Sequence, residues 1–233
     1  MNTDSENSLK SKKCIYDITK FTHLDYPNHL ACILWFSGCN MRCDFCYNKD
    51  IVFTKEGSYT LEDAFAFLRT RVSLLDAVVL SGGEASSYEL IDFCKAIKKL
   101  GFLIKLDTNG TNHLHVKHLI DLALLDYIAL DYKAPQYKFT QITHSNKYDE
   151  FNETLNLIIN SHIDIEVRTT LHTDLLNTDD INFIIEDLKL RGYRKAYYIQ
   201  EFLDIKNNIG GLEAPSKSFD KSQLSSNLPI IWR

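Results

Sequence analysis

The sequence lacks a long apolar segment. Its longest uninterrupted apolar run covers residues 30–36, seven residues, whereas a membrane-spanning helix needs about 20. The first thirteen residues are polar and do not contain the apolar core of a signal peptide. We therefore expect a cytoplasmic protein that has no membrane partner.

An excess of basic residues is also missing. The 26 Lys and Arg are outnumbered by 31 Asp and Glu, which gives a formal net charge of −5. Proteins that bind nucleic acid mainly through its phosphates are usually basic, so we expect no nucleic-acid partner. The length of 233 residues suits one domain. We predict a single domain over residues 1–233, with a core at about 16–202 and an irregular tail at 203–233.

Strand-like apolar segments alternate with helical patterns along most of the chain. Thr60 followed by Asp63, for example, predicts the start of a helix. Parallel strands need crossover connections, so six such repeats predict a parallel α/β sheet. Polar residues recur on one face of several strands, whereas a closed eight-stranded barrel fills its interior with apolar side chains. We therefore expect an open sheet curved around a polar cavity. Its strands should begin near Leu30, Asp76, Phe102, Asp126, Ile163 and Arg194.

Three of the six cysteines are clustered. Cys39, Cys43 and Cys46 have the spacing C-x3-C-x2-C, and the other three are scattered. A chain of this length without an export signal does not need disulfides, so the cluster indicates a metal site. Zinc sites and 4Fe–4S clusters normally use four protein ligands. Three local thiols favour an iron–sulfur cluster with one iron open to a ligand, and a zinc site completed by a His or a distant Cys is the alternative.

The spacing C-x3-C-x-aromatic-C, with Phe45 as the aromatic residue, resembles the signature of the radical S-adenosylmethionine (SAM) superfamily. Residues 38–50 look most like the activases of glycyl-radical enzymes, including pyruvate formate-lyase. Residues 20–39, 166–170 and 197–202 look most like the activases of anaerobic ribonucleoside-triphosphate reductase. The resemblance covers about residues 16–202. It implies an incomplete (β/α)6 TIM-like partial barrel, a 4Fe–4S cluster and SAM as cofactors, and a glycyl-radical enzyme as the partner.

The resemblance also implies a set of site residues. The three clustered cysteines match the cluster ligands, and the open iron would be chelated by SAM. Ser81, Gly82, Gly83 and Glu84 match the family's GGE motif, in which the carboxylate of Glu84 accepts from the SAM ammonium group. Further cofactor-binding positions near the ends of strands, or beside the cluster, are Phe45, Tyr47, Asp107, Asn109, Asp131, Lys133, Arg168 and Gln200.

These polar positions have separate implied roles. Lys133 and Arg168 would neutralise the SAM carboxylate, and Asp107 and Asp131 would order the ribose, the amine or a monovalent cation. Gln200 would contact the adenine. The alternative for each charged residue is a buried ion-pair network without a ligand.

The implied activity is the generation of a glycyl radical on anaerobic ribonucleotide reductase, with flavodoxin or ferredoxin as the electron donor. One alternative is a radical SAM enzyme that acts on a small molecule or a peptide, such as a 7-carboxy-7-deazaguanine synthase. A second is a non-catalytic iron–sulfur or zinc module. The chain departs from the activase pattern at Asn28, where these proteins usually have Gly.

Overall fold

The computed structural model describes residues 12–204 and 207–233. The chain forms two compact units whose segments alternate along the sequence. The first unit comprises residues 12–40, 50–108 and 114–127, and the second takes the remaining described residues. The single domain expected for residues 1–233 stays a prediction.

The first unit is built on four strands that lie side by side in chain order. Its main elements are β1 (Ile15–Thr22), β2 (Ala31–Phe36), α1 (Lys49–Phe53), α2 (Leu61–Arg69), β3 (Ala77–Gly82), a 3-10 turn (Ala85–Ser87), α3 (Ile91–Lys99), β4 (Leu103–Thr108) and α4 (His113–Asp121). The β1 strand is antiparallel to β2, and β2, β3 and β4 are parallel. The parallel strands are linked by helices, as this arrangement requires.

The second unit contains a second group of strands in chain order. Its main elements are β5 (Tyr127–Asp131), α5 (Gln136–Thr143), α6 (Tyr148–Ile159), β6 (Asp164–Leu171), α7 (Thr178–Leu190), β7 (Tyr197–Glu201), a 3-10 turn (Lys221–Gln223) and β8 (Ile230–Trp232). The β6, β7 and β8 strands are parallel, with Val167 opposite Tyr197 and Tyr197 opposite Ile230. Among the described strands of each unit, the first and last are not paired with each other, so neither group closes into a barrel.

The six predicted strands correspond to β2 through β7. Five of them begin within one residue of the expected position, and β7 begins three residues later, at Tyr197. The β2 and β3 strands are buried on both faces, as in Leu34 and Val78. A strand covered on both faces reads as a short continuous apolar run, and this pattern made these strands predictable.

Two further strands, β1 and β8, were not predicted. The β1 strand has the sequence IYDITKFT, in which polar residues interrupt the apolar ones. The β8 strand lies in the segment 203–233, so the expectation of an irregular tail is wrong at residues 230–232. Leu228, just before this strand, is buried.

Two local sequence signals have clear structural counterparts. Thr60 and Asp63 form a capping box at the start of α2, as predicted. Asn28 has a φ of +63°, and Asn is one of the few residues that tolerate this left-handed conformation. Asn28 therefore adopts a backbone geometry that glycine would also adopt.

The described helices are short, and the longest, α7, has thirteen residues. No helix in the ranges 12–204 and 207–233 is long and apolar enough to cross a membrane. The cytoplasmic location stays a prediction.

Candidate cofactor-binding site

In the first unit, the GGE turn packs directly against the backbone that leads into the cysteine motif. The amide of Gly83 donates to the carbonyl of Phe36 at 2.9 Å, and the amide of Glu84 donates to the carbonyl of Gly38 at 3.0 Å. A Cβ atom on Gly83 would lie 1.8 Å from the Gly38 oxygen, and one on Gly82 would lie 2.4 Å from the Phe36 nitrogen. Only glycine permits this backbone approach.

The carboxylate of Glu84 is buried and held by hydroxyl groups. The residue is 1% exposed. Its Oε1 accepts from the Ser86 hydroxyl at 2.6 Å, from the Ser86 amide at 3.3 Å and from the Thr108 hydroxyl at 2.7 Å. Because β4 supplies Thr108 and the 3-10 turn supplies Ser86, the fold fixes the orientation of this carboxylate.

A second polar group in this unit joins two of the predicted residues. The Ser81 hydroxyl donates to Asp107 Oδ2 at 3.0 Å. Lys105 Nζ lies 3.3 Å from Asp107 Oδ1 and donates to the Asp25 carbonyl at 2.6 Å. Lys105 was not among the predicted site residues, although its position two residues before Asp107 places both on one face of a strand.

The six thiols differ in their burial. Cys39 and Cys46 are partly exposed and Cys43 is 6% exposed, whereas Cys14, Cys32 and Cys94 are at most 1% exposed. Burial raises the pKa of Cys14 to about 11 and the pKa values of Cys32 and Cys94 to about 12. A thiol in an apolar environment resists forming the thiolate that a metal requires. The three scattered cysteines are therefore core residues.

In the second unit, the loop that carries Cys43 and Cys46 is anchored to the end of α5. The amide of Arg42 donates to the Thr143 carbonyl at 2.9 Å, and the amide of Asp44 donates to the Ile142 carbonyl at 3.0 Å. The imidazole of His144 also bonds to Asp44 Oδ1 at 2.7 Å.

Lys133 is the cation associated with this loop. Its Nζ lies 5.6 Å from the centre of the Phe45 ring and 2.9 Å from Asp131 Oδ2. Burial alone would lower the pKa of Lys133, but the carboxylate of Asp131 and the neighbouring Cys43 and Cys46 raise it above its ordinary value. Lys133 therefore carries its positive charge at neutral pH.

Arg168 binds the same carboxylate from β6. Its Nε lies 2.5 Å from Asp131 Oδ1. Burial would raise the pKa of Asp131, but Arg168 and Lys133 lower it to about 2. Arg168 also lies 3.7 Å from Glu166, which accepts two further hydrogen bonds from Arg233. Arg168 thus joins the two carboxylates in one network of charge-assisted hydrogen bonds.

Three predicted site residues, Asn109, Tyr47 and Gln200, lie outside the ion pairs described above. Asn109 is 4% exposed, and its Oδ1 accepts from the amide and the hydroxyl of Thr111 at 3.0 and 2.7 Å. Tyr47 is 45% exposed, and Gln200 lies opposite Thr170 in the β6–β7 register. In the part of the chain that the structure describes, no side-chain hydrogen bond or ring contact joins Tyr47 or Gln200 to another predicted site residue.

The residues present fit an iron–sulfur cluster. Soft thiolates are the ligands that such clusters use. In the second unit, Cys43 and Cys46 neighbour the Lys133 cation, and in the first unit the glycine turn packs against the backbone of Gly38, next to Cys39. Among the described residues, no three His, Cys, Asp or Glu side chains surround one point closely enough for a single metal ion. A multinuclear cluster binds each cysteine through a different iron, so its ligands need not surround one point.

Comparison with known proteins gives a consistent picture. The model of the Radical SAM superfamily matches residues 33–188. A protein of Methanocaldococcus jannaschii, provisionally named a glycyl-radical enzyme activating enzyme, is 28% identical over 198 residues, covering 82% of this chain and 80% of that protein. The pyruvate formate-lyase 1-activating enzyme of Escherichia coli is 39% identical over 85 residues, 34% of this chain and 35% of that enzyme.

Solved structures confirm the fold class. Streptococcus suis SuiB bound to S-adenosylmethionine matches 84% of this chain and 48% of its own, with a TM-score of 0.64 and 12% identity. Native anSMEcpe with bound AdoMet matches 72% of this chain and 50% of its own, with a TM-score of 0.59 and 16% identity. The chain thus spans about half the length of these proteins, and the likeness concerns the α/β fold with its open sheet.

Proposed function

Since this chain belongs to the radical SAM superfamily, whose members use a 4Fe–4S cluster and SAM, we propose that it is an activase for a glycyl-radical enzyme. The observation that carries the proposal is the similarity to the provisionally named activating enzyme of M. jannaschii, which extends over 82% of this chain. The shorter match to the pyruvate formate-lyase 1-activating enzyme supports the same class of substrate.

The residues of this chain would bind and orient the cofactors. When bound and reduced, the cluster and SAM together supply a 5′-deoxyadenosyl radical. Cys39, Cys43 and Cys46 would hold the cluster. Glu84, whose carboxylate is oriented by two hydroxyl groups, would accept a hydrogen bond from the SAM ammonium group.

The charged residues of the later strands would bind the remaining polar groups of SAM. Lys133 and Arg168 share Asp131, and their combined positive charge suits the SAM carboxylate. Asp107, held by Ser81, would order the ribose, the amine or a monovalent cation. Asp107 near the end of β4 and Lys133 just after β5 lie at the ends of strands where active sites are found in related β/α folds.

We propose anaerobic ribonucleoside-triphosphate reductase as the partner, with flavodoxin or ferredoxin as the electron donor. The hydrogen abstracted would come from the Cα of one glycine of the reductase, which would leave the glycyl radical there and form 5′-deoxyadenosine. An activase consumes one SAM for each radical formed. This stoichiometry distinguishes it from an enzyme that turns over a metabolite.

The test is an anaerobic assay with reconstituted protein, reductant, SAM and purified candidate reductase. We expect an electron paramagnetic resonance (EPR) signal from a glycyl radical and one 5′-deoxyadenosine per radical, and neither product with Cys43→Ala. A reductase with its radical glycine replaced by alanine is the matched control. Repeated turnover with a small molecule or a peptide, and no protein radical, would instead identify the alternative class of radical SAM enzyme.

Absence of SAM cleavage by a reduced, fully loaded cluster, with and without the reductase, would contradict the proposed chemistry. The same assay with pyruvate formate-lyase distinguishes between the two partners. Activation of that enzyme alone would retain the activase function and reject the reductase as its substrate.

A further inference from the structure

We propose that the segment Asn208–Glu213, here called the tail clamp, positions the cysteine loop, residues Met41–Tyr47. The inference rests on the proposed function, because it concerns the loop that would hold two of the cluster ligands. The tail clamp lies in a part of the chain where the sequence showed no functional signal. Both segments belong to the second unit.

Two backbone hydrogen bonds join the tail clamp to the cysteine loop. The amide of Ile209 donates to the Cys46 carbonyl at 3.0 Å, and the amide of Gly210 donates to the Asp44 carbonyl at 2.8 Å. One of the bonded carbonyls therefore belongs to a cluster-ligand residue. The other belongs to the residue that follows Cys43.

The contact at Gly210 is too close for a side chain. A Cβ atom there would lie 2.6 Å from the Cβ of Asp44 and 2.9 Å from its Cα. Neither atom is the flexible end of a side chain, so a larger residue must displace the tail clamp or the loop. The glycine next to it, Gly211, faces open space.

The tail clamp is closed by internal hydrogen bonds and anchored at its last residue. The Asn208 side chain is 3% exposed and forms two hydrogen bonds to the backbone of Leu212, at 2.6 and 2.7 Å. His172, directly after β6, donates from Nε2 to the Glu213 carbonyl at 2.9 Å. A segment that is anchored in this way can restrain the loop that it touches.

The cysteine loop is thus restrained from two directions. The amide of Asp44 is bonded to the Ile142 carbonyl of α5, and its carbonyl is bonded to the tail clamp. The reduction potential and spectrum of an iron–sulfur cluster depend on the hydrogen bonds and surroundings of its ligands. We therefore expect the tail clamp to act as a positioning element for the loop whose cysteines would hold the cluster.

The test compares Gly210→Val with Gly211→Asn. The second substitution occupies open space, and Asn tolerates the φ of +64° found there. In the iron-free protein, hydrogen exchange of the backbone amides at positions 209 and 210 and of peptides from the cysteine loop should be at least tenfold faster in Gly210→Val than in the wild type. In the loaded protein, the g-values of the reduced cluster should shift in Gly210→Val alone.

Wild-type exchange and g-values in a folded Gly210→Val protein would overturn the inference. If that variant does not fold, Asn208→Ala takes its place, since it removes the two bonds that shape the tail clamp and leaves Gly210 unchanged. The same faster exchange and shifted signal are then expected, and wild-type values would refute the inference. If the variant shows altered exchange and g-values but the wild-type protein activates no partner, the role of the tail clamp is retained and the proposed function is rejected.

Discussion

Alkylation of the six cysteines tests the division between the proposed ligand thiols and the core thiols. In the iron-free folded protein, we expect iodoacetamide at pH 8 to modify Cys39 and Cys46 well before Cys14, Cys32 and Cys94. The thiolate is the form that reacts, and burial raises the pKa of Cys14 from 9.0 to about 11 and those of Cys32 and Cys94 from 9.0 to about 12.

The size of the effect follows from these pKa values. At pH 8, the thiolate fraction falls about a hundredfold for a pKa of about 11 and about a thousandfold for a pKa of about 12, relative to a thiol at 9.0. A more basic thiolate is intrinsically more nucleophilic. This raises the rate about 8-fold for the thiol with a pKa of about 11 and about 20-fold for those with a pKa of about 12. The net slowing is therefore about tenfold for Cys14 and about fortyfold for Cys32 and Cys94, before steric exclusion slows them further.

Mass spectrometry of peptides from timed quenches gives the six rates. Raising the pH from 8 to 10 should increase the rate at Cys94 about a hundredfold, against about tenfold for a thiol of ordinary pKa. Protein unfolded in guanidinium is the control, in which all six cysteines should react at similar rates. Equal alkylation of Cys94 and Cys46 in the folded protein would refute the assignment of Cys94 to the core.

Three further predictions concern the site. Cys43→Ala should reduce the iron and sulfide content after reconstitution to the background of a protein without a cluster, and a SAM-cleaving cluster in this variant would overturn the ligand assignment. Glu84→Ala should retain the cluster but weaken SAM binding at least tenfold in equilibrium dialysis, because it removes an oriented carboxylate. Asp131→Asn should destabilise the protein by about 2 kcal/mol at pH 7, since the pKa of Asp131 is lowered from 3.8 to about 2 by Arg168 and Lys133. This contribution is complete above pH 3.8 and disappears as the pH falls through about 2. In urea unfolding, the difference in the free energy of unfolding between wild type and variant should therefore narrow only in strong acid. A difference that stays constant down to that pH would contradict the electrostatic origin.

The fold was predictable where burial leaves a simple pattern. Strands such as β2 and β3 are buried on both faces and appear as apolar runs of suitable length. The β1 strand was missed because Asp17 and Lys20 interrupt its apolar residues, and polar residues take part in its register with β2, as in the pair of Asp17 with Trp35. The β8 strand has three residues, and its strand character comes from pairing with β7, which no local pattern reveals.

The ion pairs of the site were predictable only in part. Asp131 and Lys133 are two residues apart on one chain segment, so their shared face follows from strand geometry, and their contact of 2.9 Å agrees with it. The bond between Asp131 and Arg168 joins different strands. The sequence indicated that both lie near strand ends, but it did not indicate which side chains would pair. That information depends on the register of the sheet, which sequence periodicity does not contain.

The contacts of the tail clamp were still harder to predict from the sequence than the ion pairs. The segment is rich in Gly, Ser and Asn, and for that reason it was expected to be irregular. Its bonds to the cysteine loop use backbone amides, which every residue except proline can supply, so no side-chain signature marks them. The one residue type that the contact requires is glycine at position 210, and Gly210–Gly211 looks like an ordinary turn in sequence. The two glycines differ in what lies opposite them, Asp44 for the first and open space for the second, and only the second has a positive φ. A substitution at position 210 should therefore reach the cluster through the backbone of the loop, whereas one at position 211 should not, and this difference would separate a positioning role from a general need for flexibility in the tail.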